Sequence, residues 1–289
     1  MGAETERART KRRYQRTLFD GVAQLYDDSR LGYPSEVIEF AVATAGVGVG
    51  SDVLEVGCGT GQLTEGLVGH EFRLTAIDIG ASMIAAARRR LEGSAVSFQV
   101  ASFEDFAAAD ASFDLIGSGT AFHWVDPEVK FRKPARLLRP GGWLALLATG
   151  ERYDGPFGAA LLRMWTARSD DGGAWVRQQK LANIEIIAGT GLFETAVNRT
   201  HAQQMVRPAE AVIAVETTRA TSLSWPDAAR QEFTAALSRQ LRSQTEVQLT
   251  QYTSLTMARV LARAAPAGQS AERSAADRRA ANAPEAAAQ

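Results

Sequence analysis

Short apolar segments alternate with helix-like segments between residues 53 and 147, and this alternation restricts the fold more than any other feature of the sequence. The strand-like segments are Val53–Val56, Leu74–Ile77, Val96–Val100, Leu115–Ile116 and Trp143–Leu147. Strands that are separated by helices predict a parallel sheet with helices on both faces. We therefore expect an α/β fold that binds its ligand beyond the carboxyl ends of the strands.

A glycine-rich turn follows the first predicted strand. Gly57, Gly59 and Gly61 lie between that strand and a helix predicted from about Gln62. Glycine has no Cβ, so the chain can turn sharply there and a ligand can approach the backbone. The dinucleotide-binding pattern G-x-G-x-x-G would need a glycine in place of Gln62, which disfavours an NAD site. Asp78 ends the second predicted strand, 17 residues after Gly61, where a carboxylate can accept hydrogen bonds from ribose hydroxyls.

The composition excludes several classes of protein. Cys58 is the only cysteine and there are three histidines, so we expect no disulfide and no metal site. The net charge of −1 gives no general attraction to nucleic acid or to an anionic membrane. We find neither an apolar run of roughly 20 residues, the length that spans a bilayer, nor a signal-peptide pattern. We therefore expect a cytoplasmic protein without a nucleic-acid or membrane partner.

Both ends of the sequence differ from the alternating part. Residues 1–18 are rich in arginine and lysine, and we expect a basic, flexible N-terminus. Residues 266–289 are rich in alanine and lack large apolar side chains, which predicts a disordered tail. The residues between them, 19–265, are expected to form the main domain.

Five segments resemble, in order and spacing, the motifs of the class I S-adenosylmethionine-dependent methyltransferases. They are Asp52–Gly61, Ala76–Ile79, Ala101–Asp105, Phe113–Asp126 and Leu137–Gly142. The resemblance extends over residues 34–148. It implies S-adenosyl-L-methionine as cofactor and a Rossmann-like, mostly parallel sheet of seven strands, the last of them antiparallel.

This resemblance divides the main domain into two parts. Residues 34–150 are the expected cofactor-binding core. Residues 151–265 are expected to supply the last two strands, near Val197–Val206 and Val247–Leu255, and a helical cap over the substrate site. The chain is most similar to the small-molecule branch that includes trans-aconitate methyltransferase-like proteins, in which an N-terminal segment like Phe19–Pro34 closes over the cofactor.

The resemblance also implies a set of site residues. The cofactor-binding candidates are Tyr26, Arg30, Glu55, Gly57, Cys58, Gly59, Gly61, Asp78, Ile79, Met83, Ser102, Phe103, Glu104, Gly117 and Ser118. His123 is the catalytic candidate, as a general base or as a residue that fixes its loop. Two residues depart from the pattern: Ser102 replaces the usual aspartate, and Pro134 falls inside a predicted helix, which it should shorten.

The expected function is methyl transfer from S-adenosylmethionine to a small molecule, with an oxygen (carboxylate included), nitrogen or carbon nucleophile. Two alternatives remain open: a cofactor-binding interaction protein without turnover, and an NAD-type oxidoreductase. The protein is expected to be a monomer or a homodimer.

Overall fold

The computed structural model describes residues 6–168 and 185–261. The predicted tail at 266–289 lies outside the described residues. No helix within the described ranges is both long enough and apolar enough to cross a membrane.

A seven-stranded sheet forms the centre of the described structure. Its strands are β1 (Asp52–Val56), β2 (Arg73–Asp78), β3 (Ser97–Val100), β4 (Phe113–Gly119), β5 (Leu138–Tyr153), β6 (Val197–Pro208) and β7 (Glu246–Arg259). They are arranged in the order β3-β2-β1-β4-β5-β7-β6. Strands β1 to β5 are parallel, and β7 is antiparallel to both β5 and β6. This confirms the expected Rossmann-like sheet with its last strand antiparallel.

Helices connect the strands and cover the sheet. They are α1 (Glu6–Thr17), α2 (Ala23–Ser29), α3 (Ser35–Ala45), α4 (Gln62–Val68), α5 (Ala81–Arg90), α6 (Arg132–Leu137), α7 (Gly155–Thr166), α8 (Ala209–Thr217), α9 (Ala220–Leu223) and α10 (Asp227–Leu241). Single 3-10 turns occur at Asp20–Val22 and Phe122–Trp124, and residues 185–189 are also helical. Helix α6 contains Pro134 and has only six residues, as the proline predicts.

Alternate residues of each central strand contribute to two different cores. Val53, Leu115 and Ala145 pack with α3 and α4 on one face of the sheet. Leu54 and Ile116 belong to the core on the other face. Because side chains alternate between the faces of a strand, a strand buried on both faces must be apolar throughout. This explains the continuous apolar runs in the sequence.

A third core lies under the cap region. Phe157 and Leu161 of α7 pack with Phe233 and Leu237 of α10. Their spacing of four residues puts each pair on one helix face. Leu249 of β7 belongs to the same core, so these helices pack on the sheet.

Within the basic N-terminal segment, residues 6–17 form helix α1. Ion pairs join its arginines to acidic residues far along the chain: Arg9 with Glu128 at 2.5 Å, Arg12 with Asp126 at 3.5 Å, and Arg16 with Glu104 at 2.9 Å. Arg9, Arg12 and Arg16 are therefore paired with acidic side chains from distant parts of the chain.

Candidate active site

A cavity of about 510 Å³ lies at the carboxyl ends of β1, β2 and β4. Gly57, Asp78 and Thr120 line it from these strand ends, and Arg12 and Arg16 line it from α1. The position agrees with the rule that open α/β sheets bind ligands beyond the carboxyl ends of their strands.

The glycine turn forms the floor of the cavity. The backbone N–H groups of Gly57 and Cys58 both donate to the Ile77 carbonyl, at 2.8 and 3.0 Å, which ties the turn to β2. Gly57 has φ +71°, and a Cβ at this position would lie 2.4 Å from Ala121 Cβ. A left-handed backbone and a close neighbour therefore both require glycine here.

Asp78 joins the turn to the start of α5. Its Oδ2 accepts a hydrogen bond from the Gly59 N–H at 3.0 Å, and its Oδ1 accepts one from the Gly80 N–H at 2.8 Å. Loss of solvation raises the pKa of this carboxyl group. Each carboxylate oxygen can accept a second hydrogen bond, so Asp78 can still bind a hydroxyl group in the cavity.

Glu55 presents a buried carboxylate oxygen without a hydrogen-bond partner. Its side chain is 1% exposed and lines the cavity. The Thr64 hydroxyl donates to its Oε2 at 2.6 Å, but no donor in the described part of the chain reaches Oε1. Burial, together with the nearby charge of Asp78, raises the pKa of Glu55 to about 7. A buried acceptor is costly when unpaired, so the site fits a ligand that brings a donor or a cation.

The N-terminal segment supplies a side wall. Asp20 Oδ1 accepts from the Ser82 and Met83 N–H groups, at 2.7 and 3.3 Å, and so caps α5. The Arg30 guanidinium lies 4.5 Å from the Tyr26 ring centroid and donates to Thr218. Tyr26 and Arg30 both line the cavity, which agrees with a segment that folds over a ligand.

The turn after β3 also lines the cavity. Glu104 Oε1 accepts from Arg16 and from the Asp126 N–H, both at 2.9 Å, whereas Oε2 is buried without a hydrogen-bond partner among the described residues. The buried side chains of Phe103 and Met83 add apolar surface.

His123 also lines the cavity. Its ring centroid lies 4.5 Å from that of Trp124. Loss of solvation, with a smaller effect of the Lys130 charge, lowers the pKa of His123 to about 3. The imidazole is therefore neutral at pH 7, and it is a weaker base than an ordinary histidine.

Four predicted cofactor-binding residues do not line the cavity. Gly61 faces α5, where a Cβ would lie 3.4 Å from Ala87 Cβ. The Ser102 hydroxyl donates to Asp105 at 2.6 Å, and the buried Ser118 hydroxyl donates to the Val56 carbonyl at 2.7 Å. Gly117 is paired between β1 and β5 inside the sheet. Local hydrogen bonding and sheet pairing thus occupy these positions, while the other eleven candidates line the cavity.

Several cavity residues were missed by the sequence analysis. They include Arg12, Arg16, Glu151, Arg219 and Gln251. For α1 a signal existed, since Arg9, Arg12 and Arg16 have the spacing of one helix face. For the other three the local sequence shows none. Within the described ranges, no group of histidine, cysteine and acidic side chains could hold a metal ion.

Comparisons with known proteins show which families this chain resembles. A methyltransferase-domain family matches residues 54–146. Malonyl-acyl-carrier-protein O-methyltransferase of Hahella chejuensis is 39% identical over 44% of this chain and 46% of its own length. Ubiquinone biosynthesis O-methyltransferase of Xanthomonas oryzae pv. oryzae is 37% identical over 46% and 54%. The chain spans about half the length of the curated relatives that it matches.

Solved structures share the fold at lower identity. A candidate type II methyltransferase from Anaeromyxobacter dehalogenans aligns with TM-score 0.58 and 22% identity, over 81% of this chain and 99% of its own. A Haemonchus contortus phosphoethanolamine N-methyltransferase, solved with S-adenosylhomocysteine, aligns with TM-score 0.50 and 15% identity, over 86% and 60%. Residues 54–146 therefore match a methyltransferase-domain family, and the sheet that contains them has the fold of these methyltransferase structures.

Proposed function

We propose that this protein transfers a methyl group from S-adenosylmethionine to a small-molecule acceptor. The observation that carries the proposal is the unpartnered Oε1 of Glu55, buried in the cavity beside the glycine turn. A carboxylate oxygen in this position suits the cationic amino group of the cofactor. NAD offers no comparable aliphatic ammonium group.

Different cavity residues would bind different parts of the cofactor. Glu55 would hold the amino group, Gly57 and Gly59 would allow close approach to the methionine end, and Asp78 would accept from the ribose. Met83 and Phe103 would bracket the adenine. The cofactor supplies an electrophilic methyl group on a sulfonium. The protein then needs mainly to orient the acceptor and exclude water, and orientation can contribute on the order of 7–11 kcal/mol to the barrier reduction.

We further propose that residues 34–150 bind the cofactor and residues 151–265 form most of the acceptor side. Glu151, Arg219 and Gln251 line the cavity from this second part. A cavity of about 510 Å³ suits a small acceptor. The names of the two relatives above favour an oxygen nucleophile.

The purified protein should bind S-adenosylmethionine and S-adenosylhomocysteine in preference to NAD. Titration calorimetry with the three ligands measures this directly. Turnover is tested by incubating the protein with labelled S-adenosylmethionine and a metabolite extract, and by searching for products heavier by one methyl group. Tight NAD binding without binding of the other two would overturn the proposal. Cofactor binding without any transfer would favour a binding protein.

Asp78→Ala should weaken binding of S-adenosylhomocysteine by roughly 1.5–3 kcal/mol, the range for hydrogen bonds to a charged group. The ribose would lose its acceptor, and the Gly59 and Gly80 amides would lose theirs. Asp105→Ala is the matched control, because Asp105 follows the neighbouring strand β3 but is exposed and outside the cavity. A loss below about 0.5 kcal/mol, less than one ordinary hydrogen bond, in a folded Asp78→Ala protein would exclude a ribose role.

The general-base role of His123 remains a prediction, which His123→Gln tests once an acceptor is found. If His123 is the general base, its replacement should lower kcat by at least ~100-fold. The neutral ring, whose pKa is about 3, is poorly matched to proton transfer at pH 7, so we favour a role in holding its loop. We then expect kcat to fall less than about fivefold and its pH profile between 5 and 8 to stay unchanged, since general-base catalysis is worth far more than that.

A further inference from the structure

Thr120, at the end of β4, has an uncommon backbone conformation. Its φ of +55° lies in the left-handed region, which a β-branched residue rarely adopts. The other described non-glycine residues with positive φ are Glu71 and Ala111. Of the three, only Thr120 lines the cavity. Such conformations persist only where the surroundings hold them, and they concentrate at functional sites.

Four hydrogen bonds hold Thr120 in place. Its N–H donates to the Leu147 carbonyl at 2.8 Å, and its Oγ1 accepts from the Thr149 N–H at 3.2 Å. The other two join Oγ1 to the Tyr33 hydroxyl at 2.9 Å and to the Thr149 hydroxyl at 3.5 Å. The residues Tyr33, Thr120 and Thr149 all line the cavity, and we call them the hydroxyl cluster.

Gly119 makes the approach of Tyr33 possible. A Cβ at Gly119 would lie 2.5 Å from the Tyr33 hydroxyl oxygen, so any other residue would displace the phenol. Gly119 thus leaves room for the Tyr33 phenol. The next residue, Thr120, has a left-handed backbone and forms a hydrogen bond with the same phenol.

The hydroxyl cluster lies away from Asp78, the residue proposed to bind the ribose. Asp78 ends β2, whereas Thr120 follows β4 and Thr149 belongs to β5. Strand β1 separates β2 from β4 in the sheet, and neighbouring strands lie about 4.8 Å apart. The cluster is therefore on the side of the cavity toward β5, beyond the ribose position.

We propose that Tyr33 donates a hydrogen bond to an oxygen or nitrogen lone pair of the methyl acceptor, and that Thr120 is the positioning residue that holds Tyr33 for this contact. This inference rests on the proposed methyltransferase function. It adds the chemical property by which the acceptor is recognised: a hydrogen-bond-accepting atom next to the methylated one.

The hydrogen-bond inventory of the cluster agrees with this direction. Thr120 Oγ1 accepts from the Thr149 N–H, and its own O–H has two acceptors in reach, Tyr33 and Thr149 Oγ1. When it donates to Tyr33, the phenol proton can point into the cavity. Loss of solvation raises the pKa of Tyr33, so the phenol stays protonated at neutral pH. Tyr33 is then a donor and not a base.

The test uses four variants of the full chain. Tyr33→Phe removes the phenol oxygen, Thr120→Val removes the hydroxyl at nearly constant shape, Thr120→Ser keeps the hydroxyl, and Thr120→Gly releases the strained backbone. Tyr14→Phe and Thr234→Val are the matched controls, because Tyr14 is 58% exposed on α1 and Thr234 bonds only within α10. For every variant we measure the S-adenosylhomocysteine affinity, the Tm, and methyl transfer from labelled S-adenosylmethionine to a bacterial metabolite extract.

We expect Tyr33→Phe and Thr120→Val to keep their S-adenosylhomocysteine affinity within twofold and to lose transfer at least tenfold. Thr120→Ser should retain transfer within about threefold. Thr120→Gly should transfer as poorly as Thr120→Val, because it also lacks the hydroxyl that holds Tyr33. Transfer by Tyr33→Phe within twofold of wild type would overturn the inference, as would a tenfold parallel loss of S-adenosylhomocysteine affinity. If the wild-type protein binds the cofactor but transfers to nothing, the proposed function fails as well.

Discussion

Gly57→Ala should destabilise the protein by about 2–5 kcal/mol, the sum of a left-handed backbone penalty and an overpacking penalty. The backbone at Gly57 has φ +71°, and the new Cβ would lie 2.4 Å from Ala121 Cβ. Neither atom belongs to a flexible side chain, so the loop after β4 would have to move away from the glycine turn. Chemical denaturation followed by circular dichroism measures the change in the free energy of unfolding.

Two further variants separate the two causes. Gly59 has φ +55°, but nothing lies within 4 Å of the position that a Cβ would take there, so Gly59→Ala should cost only the backbone penalty of about 1–2 kcal/mol. Adding Ala121→Gly to Gly57→Ala removes the contact between the two Cβ atoms and should restore the overpacking part. If the double variant is no more stable than Gly57→Ala, the close contact is not the cause.

The contribution of Glu55 to the stability of the ligand-free protein should fall as the pH rises from 4.5 to 7. Burial raises the pKa of Glu55 from 4.5 to about 7, so the folded protein keeps a proton that the unfolded chain releases in this range. The stabilisation is complete below pH 4.5 and is lost as the pH rises through 7. Linkage puts the total loss at up to about 3 kcal/mol by pH 8.

Glu55→Gln isolates this effect, since glutamine cannot ionise. The difference in unfolding free energy between wild type and Glu55→Gln should change by that amount between pH 4 and pH 8, while Glu246→Gln, at an exposed position of β7, should follow the wild type. Saturating S-adenosylhomocysteine should reduce the difference, because its amino group would favour ionised Glu55. Parallel curves for wild type and Glu55→Gln would contradict the prediction.

The central sheet and the glycine turn could be predicted because their signals are local. A strand buried on both faces is apolar throughout, as Val53 and Leu54 illustrate, and a sharp turn beside a ligand site needs residues such as Gly57. Asp78 follows from its distance to that turn. Such features need no knowledge of which distant residues meet, and so the fold and the cofactor side of the cavity were accessible from the sequence.

The walls that α1, Glu151, Arg219 and Gln251 contribute to the cavity could not be predicted, because distant contacts determine them. The basic N-terminus was expected to be flexible, since nothing near Arg16 in the sequence indicates its partner Glu104, 88 residues away. Ser102 and Ser118 occupy motif positions for the cofactor, yet hydrogen bonds to Asp105 and to the Val56 carbonyl hold their hydroxyls outside the cavity. Nothing in the sequence near Thr120 indicates a role in the cavity. Its left-handed backbone, with φ +55°, is visible only in the structure.

The contacts of the N-terminal segment have a consequence for the order of events during synthesis. Arg30 donates to Thr218, and the Gln251 side-chain amide lies 3.4 Å from the Gly32 carbonyl. A ribosome delivers residues 6–33 before the partners named here, and Thr218 emerges 188 residues after Arg30. Domains fold progressively as the chain emerges, so we expect these two contacts to form only after β6 and β7 have joined the sheet. The wall of the cavity between the N-terminal segment, Thr218 and Gln251 would then close late in folding.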